Sequence, residues 1–106
     1  MILFQLHFDV ADERRQEFEK TYNEVFEPAV SRQEGFKNAK LIRFYPPDQV
    51  REIEASPTQY NYQVNFVFES EALRRRWAAT AEHDVAWPRL SGIARKFRWR
   101  GYDIIG

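Results

Sequence analysis

The sequence contains no cysteine and a single methionine in 106 residues. Disulfides, thiolate metal sites and a cysteine nucleophile are therefore excluded. Glycine is sparse at four residues, and no phosphate-binding loop or serine-nucleophile motif occurs. Histidine occurs only at His7 and His83, too far apart to suggest a histidine-rich metal site. No apolar run approaches the roughly 18 residues needed to cross a membrane. The first apolar run, Met1 to Leu6, is interrupted by Gln5 and lacks a basic start, so it does not read as a signal peptide. Cytoplasmic location, with no membrane partner, is the resulting expectation. Sixteen basic side chains balance sixteen acidic ones, which argues against nonspecific nucleic-acid binding.

Aromatic residues, by contrast, are abundant: nine Phe, five Tyr and three Trp. A surplus of this kind serves a large core, an interface or an aromatic-lined pocket. Length indicates one domain, residues 1–106, and a domain of this size gains from burying surface against a second copy. Charge is unevenly placed. Acids outnumber bases from Asp9 to Glu34, whereas Arg89, Arg95, Lys96, Arg98 and Arg100 form a basic run. Pairing between the two regions is one reading, and a bound anion such as a substrate carboxylate is the other.

Ile2, Phe4, Leu6, Phe8 and Val10 alternate with Leu3, Gln5, His7 and Asp9, the period of a strand with one face in a core. Asp12 is the expected cap of a first helix carrying Phe18, Tyr22, Val25, Phe26, Ala29 and Val30 as its apolar stripe. Pro28 lies within that stripe and predicts a kink or restart. Gly35 ends the helix. Phe36 to Tyr45 predicts a second strand covered on both sides, with Ala39, Leu41 and Tyr45 on one face and Phe36, Ile42 and Phe44 on the other. Pro46-Pro47 stops it, and the polar connection that follows is long for a hairpin, its Val50 to Ala55 stretch reading either as a short extended arm or lid or as a disordered loop tip.

The central stretch runs from Tyr60 to Trp87. Tyr60, Tyr62, Val64, Phe66 and Phe68 define one face of a strand, and Asn61, Gln63, Asn65, Val67 and Glu69 the other. Ser70 caps a helix whose inner face follows Leu73, Trp77, Thr80, Ala81, Asp84 and Val85, with Arg74, Arg75 and Arg76 on or beside its outer face. A second short helical turn is expected from Asp84 to Ile93, and a last strand from Phe97 to Ile105. The order strand, helix, strand, strand, helix, strand predicts an α+β, ferredoxin-like βαββαβ fold: a four-stranded antiparallel sheet with two helices on one face. The first and third strands are then central neighbours. Their polar residues Gln5, His7, Asp9, Asn61, Gln63 and Asn65 share a naked face, and Leu3 and Val67 on that face favour pairing with a second sheet in a homodimer.

Glu34-Gly35-Phe36, the run Val64-Asn65-Phe66-Val67-Phe68-Glu69-Ser70-Glu71-Ala72, and Trp77 followed by His83 resemble the antibiotic biosynthesis monooxygenase-like family of the dimeric α+β barrel superfamily. The resemblance covers nearly the whole chain in element order. In that group a Glu-x-Gly turn is usual, and here glycine follows glutamate directly. The resemblance implies a dimeric α+β barrel that uses no cofactor and no metal, with a small-molecule pocket between sheet and helices. It further implies a cofactor-independent monooxygenase-like enzyme acting on an aromatic or polyketide-like substrate. His83 is the candidate general base or anion partner, because histidine titrates near neutrality. Trp77, Trp87, Tyr22, Tyr62 and Arg98 are the candidate substrate-binding residues. Haem-degrading relatives use an Asn on the first strand, where this chain has Gln5 and His7, and the interval from Trp77 to His83 is shorter than theirs. That argues against haem degradation, although the arginine run could hold propionates. Two bland readings stand beside these: Trp77 as plain core, and His83 as a helix-end surface residue. A noncatalytic small-molecule-binding or stress-response dimer is the alternative function. An RNA-recognition role for the sheet fails because the naked face offers Asn, Gln and His rather than exposed aromatics in a basic surround.

Overall fold

The computed structural model describes residues 1–106. Its strands are β1 (Ile2–Asp9), β2 (Phe36–Arg43), β3 (Tyr62–Phe68) and β4 (Lys96–Asp103). The helices are α1 (Arg15–Thr21), α2 (Glu27–Ser31), α3 (Pro47–Glu52), α4 (Glu71–Ala78) and α5 (Ala81–Ser91). The sheet is antiparallel in the order β2-β3-β1-β4, so β1 and β3 are the central pair, with Leu6 opposite Val64 and His7 opposite Gln63. This is the ferredoxin-like α+β plan. Leu6, Phe8, Tyr62, Val64, Phe66 and Phe68 are buried on one sheet face beneath Phe18, Phe26 and Val30 of the first helical layer and Trp77 and Leu90 of the second. No helix is long and apolar enough to cross a membrane.

Several boundaries differ from the expectation, each for an identifiable reason. Asp12 does not cap the first helix: Ala11 holds the N-cap position with no side-chain bond, and Asp12 opens a 3₁₀ turn and pairs with Arg15 at 3.3 Å. Pro28 does force a restart. It cannot donate a backbone hydrogen bond, and the turn before α2 widens into a π-helical turn over Tyr22–Phe26. That turn keeps Phe18, Tyr22 and Phe26 buried together.

β2 is an edge strand and is mostly exposed, not covered on both sides. A bulge between Phe36 and Asn38 shifts its alternation. Phe36 therefore joins Ala39 and Leu41 against the core, while Ile42 is left 41% exposed. The expected extended arm is helical instead. Pro46 is extended and Pro47 occupies the first turn of α3, where a missing N–H costs nothing. Tyr60 lies outside β3 and stacks on His7, at 5.8 Å between centroids, on the naked face opposite to Tyr62.

Ser70 caps α4, its Oγ accepting from the Leu73 N–H at 3.2 Å. The break that follows comes earlier than expected, because Thr80 Oγ1 donates to the Trp77 carbonyl at 2.7 Å and accepts from the His83 N–H at 3.1 Å. One hydroxyl thus ends α4 and caps α5, moving Thr80 and Ala81 from the inner face of one helix to the start of the next. Of the basic run, only Arg95 pairs with the acidic segment, at 2.8 Å from Asp9. Arg98 instead lies over the Tyr60 ring at 5.8 Å.

Candidate functional site

The Thr80 cap brings two parts of the sequence together. Trp77, in the last turn of α4, and His83, in the first turn of α5, meet edge to face with centroids 5.0 Å apart. Four residues further along α5, Trp87 stacks on the same imidazole at 6.4 Å and 19°. These rings roof a cavity of about 210 Å³ between the helices and the sheet. Phe4, Leu6 and Phe66 form its floor, Phe26 from the π-helical turn closes one side, and Trp99 of the edge strand β4 stands at its rim, 54% exposed. Trp99 meets Trp87 at 6.1 Å and 83°. Eight of the ten lining residues are hydrophobic, and the remaining two are His83 and Arg74.

Arg74 is held firmly. Its guanidinium makes a two-pronged contact with Glu71 at 2.9 and 2.6 Å, and it lies 4.4 Å from the centroid of the Phe4 ring. Hydrogen bonding to Arg74 draws the Glu71 carboxyl down to about 2, so the pair is ionised across the physiological range. The imidazole of His83 responds to the same surroundings. Burial, the largest influence, lowers its pKa from the ordinary 6.5; the Asp84 carboxylate opposes that, and the Arg74 charge adds to it. A neutral imidazole beside a fixed guanidinium can accept a proton from a ligand and leave the resulting anion next to a positive charge.

Of the residues singled out from the sequence, the fold brings His83, Trp77 and Trp87 to this one cavity, and Trp77 serves core and cavity wall at once, being 2% exposed. Tyr22, Tyr62 and Arg98 are not part of its lining. Tyr22 is buried against Phe26 with its hydroxyl unpartnered, and burial pushes that hydroxyl up to about 12. Tyr62 donates its hydroxyl to the Glu19 carboxylate. Arg98 stands on the naked sheet face.

Replacing Tyr22 by Phe removes a buried group that makes no hydrogen bond in the isolated chain. The expected result is unchanged or slightly higher stability, by up to about 1 kcal/mol in urea unfolding. A loss of similar size would show that the hydroxyl has a partner in solution.

Arg74 and Trp99 were not identified from the sequence as parts of this site. The signals were present but weak: Glu71 and Arg74 stand three residues apart on one helix, and Trp99 shares the inner face of β4 with Phe97.

The second polar cluster lies on the naked face. His7 Nε2 donates to Gln63 Oε1 at 2.9 Å, and Gln63 Nε2 donates to Asn65 Oδ1 at 2.7 Å. Burial lowers the His7 pKa, the bond to Gln63 opposes the shift, and Arg100 and Arg98 reinforce it. Asn61, expected on this face, is instead bound to the Val10 backbone, its Oδ1 accepting from the Val10 N–H at 2.9 Å and its Nδ2 donating to the Val10 carbonyl at 2.7 Å.

No protein-family model matches the chain, and no curated protein is similar to it in sequence. Solved structures are similar in shape. SnoaB, a cofactor-independent oxygenase from Streptomyces nogalater, superposes with a TM-score of 0.76 at 18% identity, over 97% of this chain and 91% of that one. A DABB family protein with a ferredoxin-like fold from Mesorhizobium loti gives 0.71 at 19% identity, over 99% and 97%. A dimeric ferredoxin-like protein of unknown function from Thermobifida fusca gives 0.70 at 12% identity, over 97% and 90%. At these identities the likeness is one of fold, and the chain is built on the ferredoxin-like α+β plan that its resemblance to the dimeric α+β barrel proteins implied.

Proposed function

We propose that this chain is a cytoplasmic, cofactor-independent monooxygenase-like enzyme that binds an aromatic or polyketide-like substrate in the His83 cavity and works as a homodimer paired through its naked sheet face. One observation carries the reading: an apolar cavity between sheet and helices, with only His83 and Arg74 as polar lining. Structural likeness to a cofactor-independent oxygenase supports the reaction class. Likeness to proteins described as dimeric supports the pairing, as do Leu3 and Val67 on the uncovered face.

The chemistry assigned to the residues is simple. Neutral His83 takes a proton from an activated carbon or phenol of the substrate, and Arg74 steadies the anion. That anion supplies the electrons for dioxygen, forming a carbon–oxygen bond. The peroxide takes the proton back from His83 and loses water, so that a CH₂ and O₂ become a carbonyl and H₂O. Trp77 and Trp87 hold the aromatic plane. The cavity is below the roughly 300 Å³ usual for ligand sites, which favours one or two fused rings unless Trp99 swings outward.

His83→Ala is expected to lower kcat by roughly 10²-fold or more on any hydroxylated naphthalene that consumes dioxygen with the native protein. The native rate should fall along an acidic limb lying below pH 6.5, because protonation removes the base and burial lowers its pKa. Oxygen-electrode measurements across pH check both points. Unchanged turnover in His83→Ala would remove the assignment. Tight binding of such compounds without oxygen uptake would favour the noncatalytic binding dimer.

A further inference from the structure

A second concave site lies at the other end of the central strands and shares no lining residue with the His83 cavity. It is the cleft of about 860 Å³ beneath the 44–61 excursion, the connection that carries α3. We propose that this cleft binds a small organic anion, one carboxylate or phosphate group carried on a flat apolar body.

Charge is the first argument. Arg15 from α1, Arg43 from the end of β2 and Arg51 from α3 converge on the cleft, and no Asp or Glu lines it. Three cations from three separate elements on one concave surface give it a positive field that an anion would neutralise. Their existing partners are weak. Arg43 approaches Glu19 only at 3.8 Å, and Glu19 already accepts the Tyr62 hydroxyl. Arg15 Nε is buried and makes no hydrogen bond, its contact with Asp12 being 3.3 Å with that carboxylate largely in solvent. Arg51 has no ion pair.

The walls supply the second argument. Phe44 and Tyr45 present aromatic surface, and Tyr45 is 57% exposed. Pro46, Pro47 and Pro57 stiffen the frame, so little order is lost when a ligand enters.

The excursion is also costly to maintain, which is the third argument. It adds no residue to the buried core. Yet α3 closes in a fully bonded turn, with Ala55 N–H to the Val50 carbonyl at 2.9 Å and Glu54 N–H to the Arg51 carbonyl at 3.1 Å. That turn holds Glu54, which is not a glycine, at a φ of 56°. A connection this long and this ordered is commonly functional.

The test is a ¹⁵N–¹H NMR titration of the full chain with naphthalene-2-carboxylate, 2-naphthyl phosphate and neutral 2-naphthamide. Shifts should gather at residues 44–61 and at Arg15 for one or both anions, and the better of the two identifies the head group. The amide should bind at least roughly tenfold more weakly. Arg43→Gln with Arg51→Gln should raise the anion Kd by roughly tenfold or more, and Tyr45→Ala should raise it further while thermal unfolding stays near native. Equal binding of the amide, an unchanged Kd in the double variant, shifts confined to the surroundings of His83, or no shifts at millimolar probe would each overturn the proposal. None of these outcomes depends on the oxygenase reading.

Discussion

Replacing Gly35 by alanine is expected to destabilise the fold by about 2–5 kcal/mol, the sum of a backbone and a packing term. Gly35 sits at a φ of +83° between α2 and β2, where a side chain costs roughly 1–2 kcal/mol. A Cβ there would also meet Leu73 Cδ1 at 2.5 Å, with Leu73 Cβ and Cγ at 3.1 and 3.3 Å. A free methyl tip could swing aside, but Leu73 packs against the core, and a shift of its stem costs about 1–3 kcal/mol. The Gly35 carbonyl accepts the Glu69 N–H at 2.7 Å, tying the turn to the end of β3. In a domain of this size each kcal/mol moves the Tm by roughly 4–8 °C, so thermal unfolding resolves the change easily. Gly35→Asn separates the two terms, because asparagine tolerates the left-handed backbone but still carries a Cβ. Leu73→Ala in the Gly35→Ala background should return part of the loss. A Gly35→Ala protein within about 1 kcal/mol of native would mean that neither the strain nor the close approach is present in solution.

What was legible in the sequence follows from which forces act locally. The alternation of Ile2 to Val10 and of the Tyr62 to Phe68 part of the expected Tyr60 to Glu69 strand holds because each strand has one face in the core, whereas Tyr60 and Asn61, outside β3, do not follow it. The cap at Ser70 and the restart at Pro28 are one-residue effects and were readable for the same reason. Features set by register or by tertiary contact were not. The bulge at Lys37 leaves no mark in composition, yet it moves Phe36 onto the face of Ala39 and Leu41. The helix at Pro47 competes with an extended reading that the same residues allow, and only the proline at its start decides between them.

At the candidate site, His83, Trp77 and Trp87 were reached through the family resemblance, and they meet in one cavity because the Thr80 cap folds α5 back beside α4. Arg74 was not reached. It reads as one of three outer-face arginines until Glu71 and the Phe4 ring hold it inward, leaving its side chain 16% exposed.

The largest effect of all is expected at Trp77. Truncation to alanine should cost about 3–5 kcal/mol, because the indole is 2% exposed and meets the rings of Phe26 and His83 at 6.1 and 5.0 Å. That loss alone would not separate a core role from a cavity wall, since both predict it. Added indole separates them. Removing the side chain joins its space to the 210 Å³ already beside it, and an apolar void of that kind accepts a small aromatic ligand. Indole should therefore raise the Tm of Trp77→Ala by mass action, while leaving the native protein much less affected. Trp87→Ala provides the comparison. Trp87 is only partly buried, so its loss should cost less stability but open the cavity to solvent and weaken any aromatic ligand. If indole rescues neither variant, the residues around Trp77 have collapsed into the gap, and the cavity is too soft to orient a substrate. Rescue of Trp77→Ala alone would mean that the space under α4 is held open by the surrounding frame, as a site that positions a planar substrate against His83 requires.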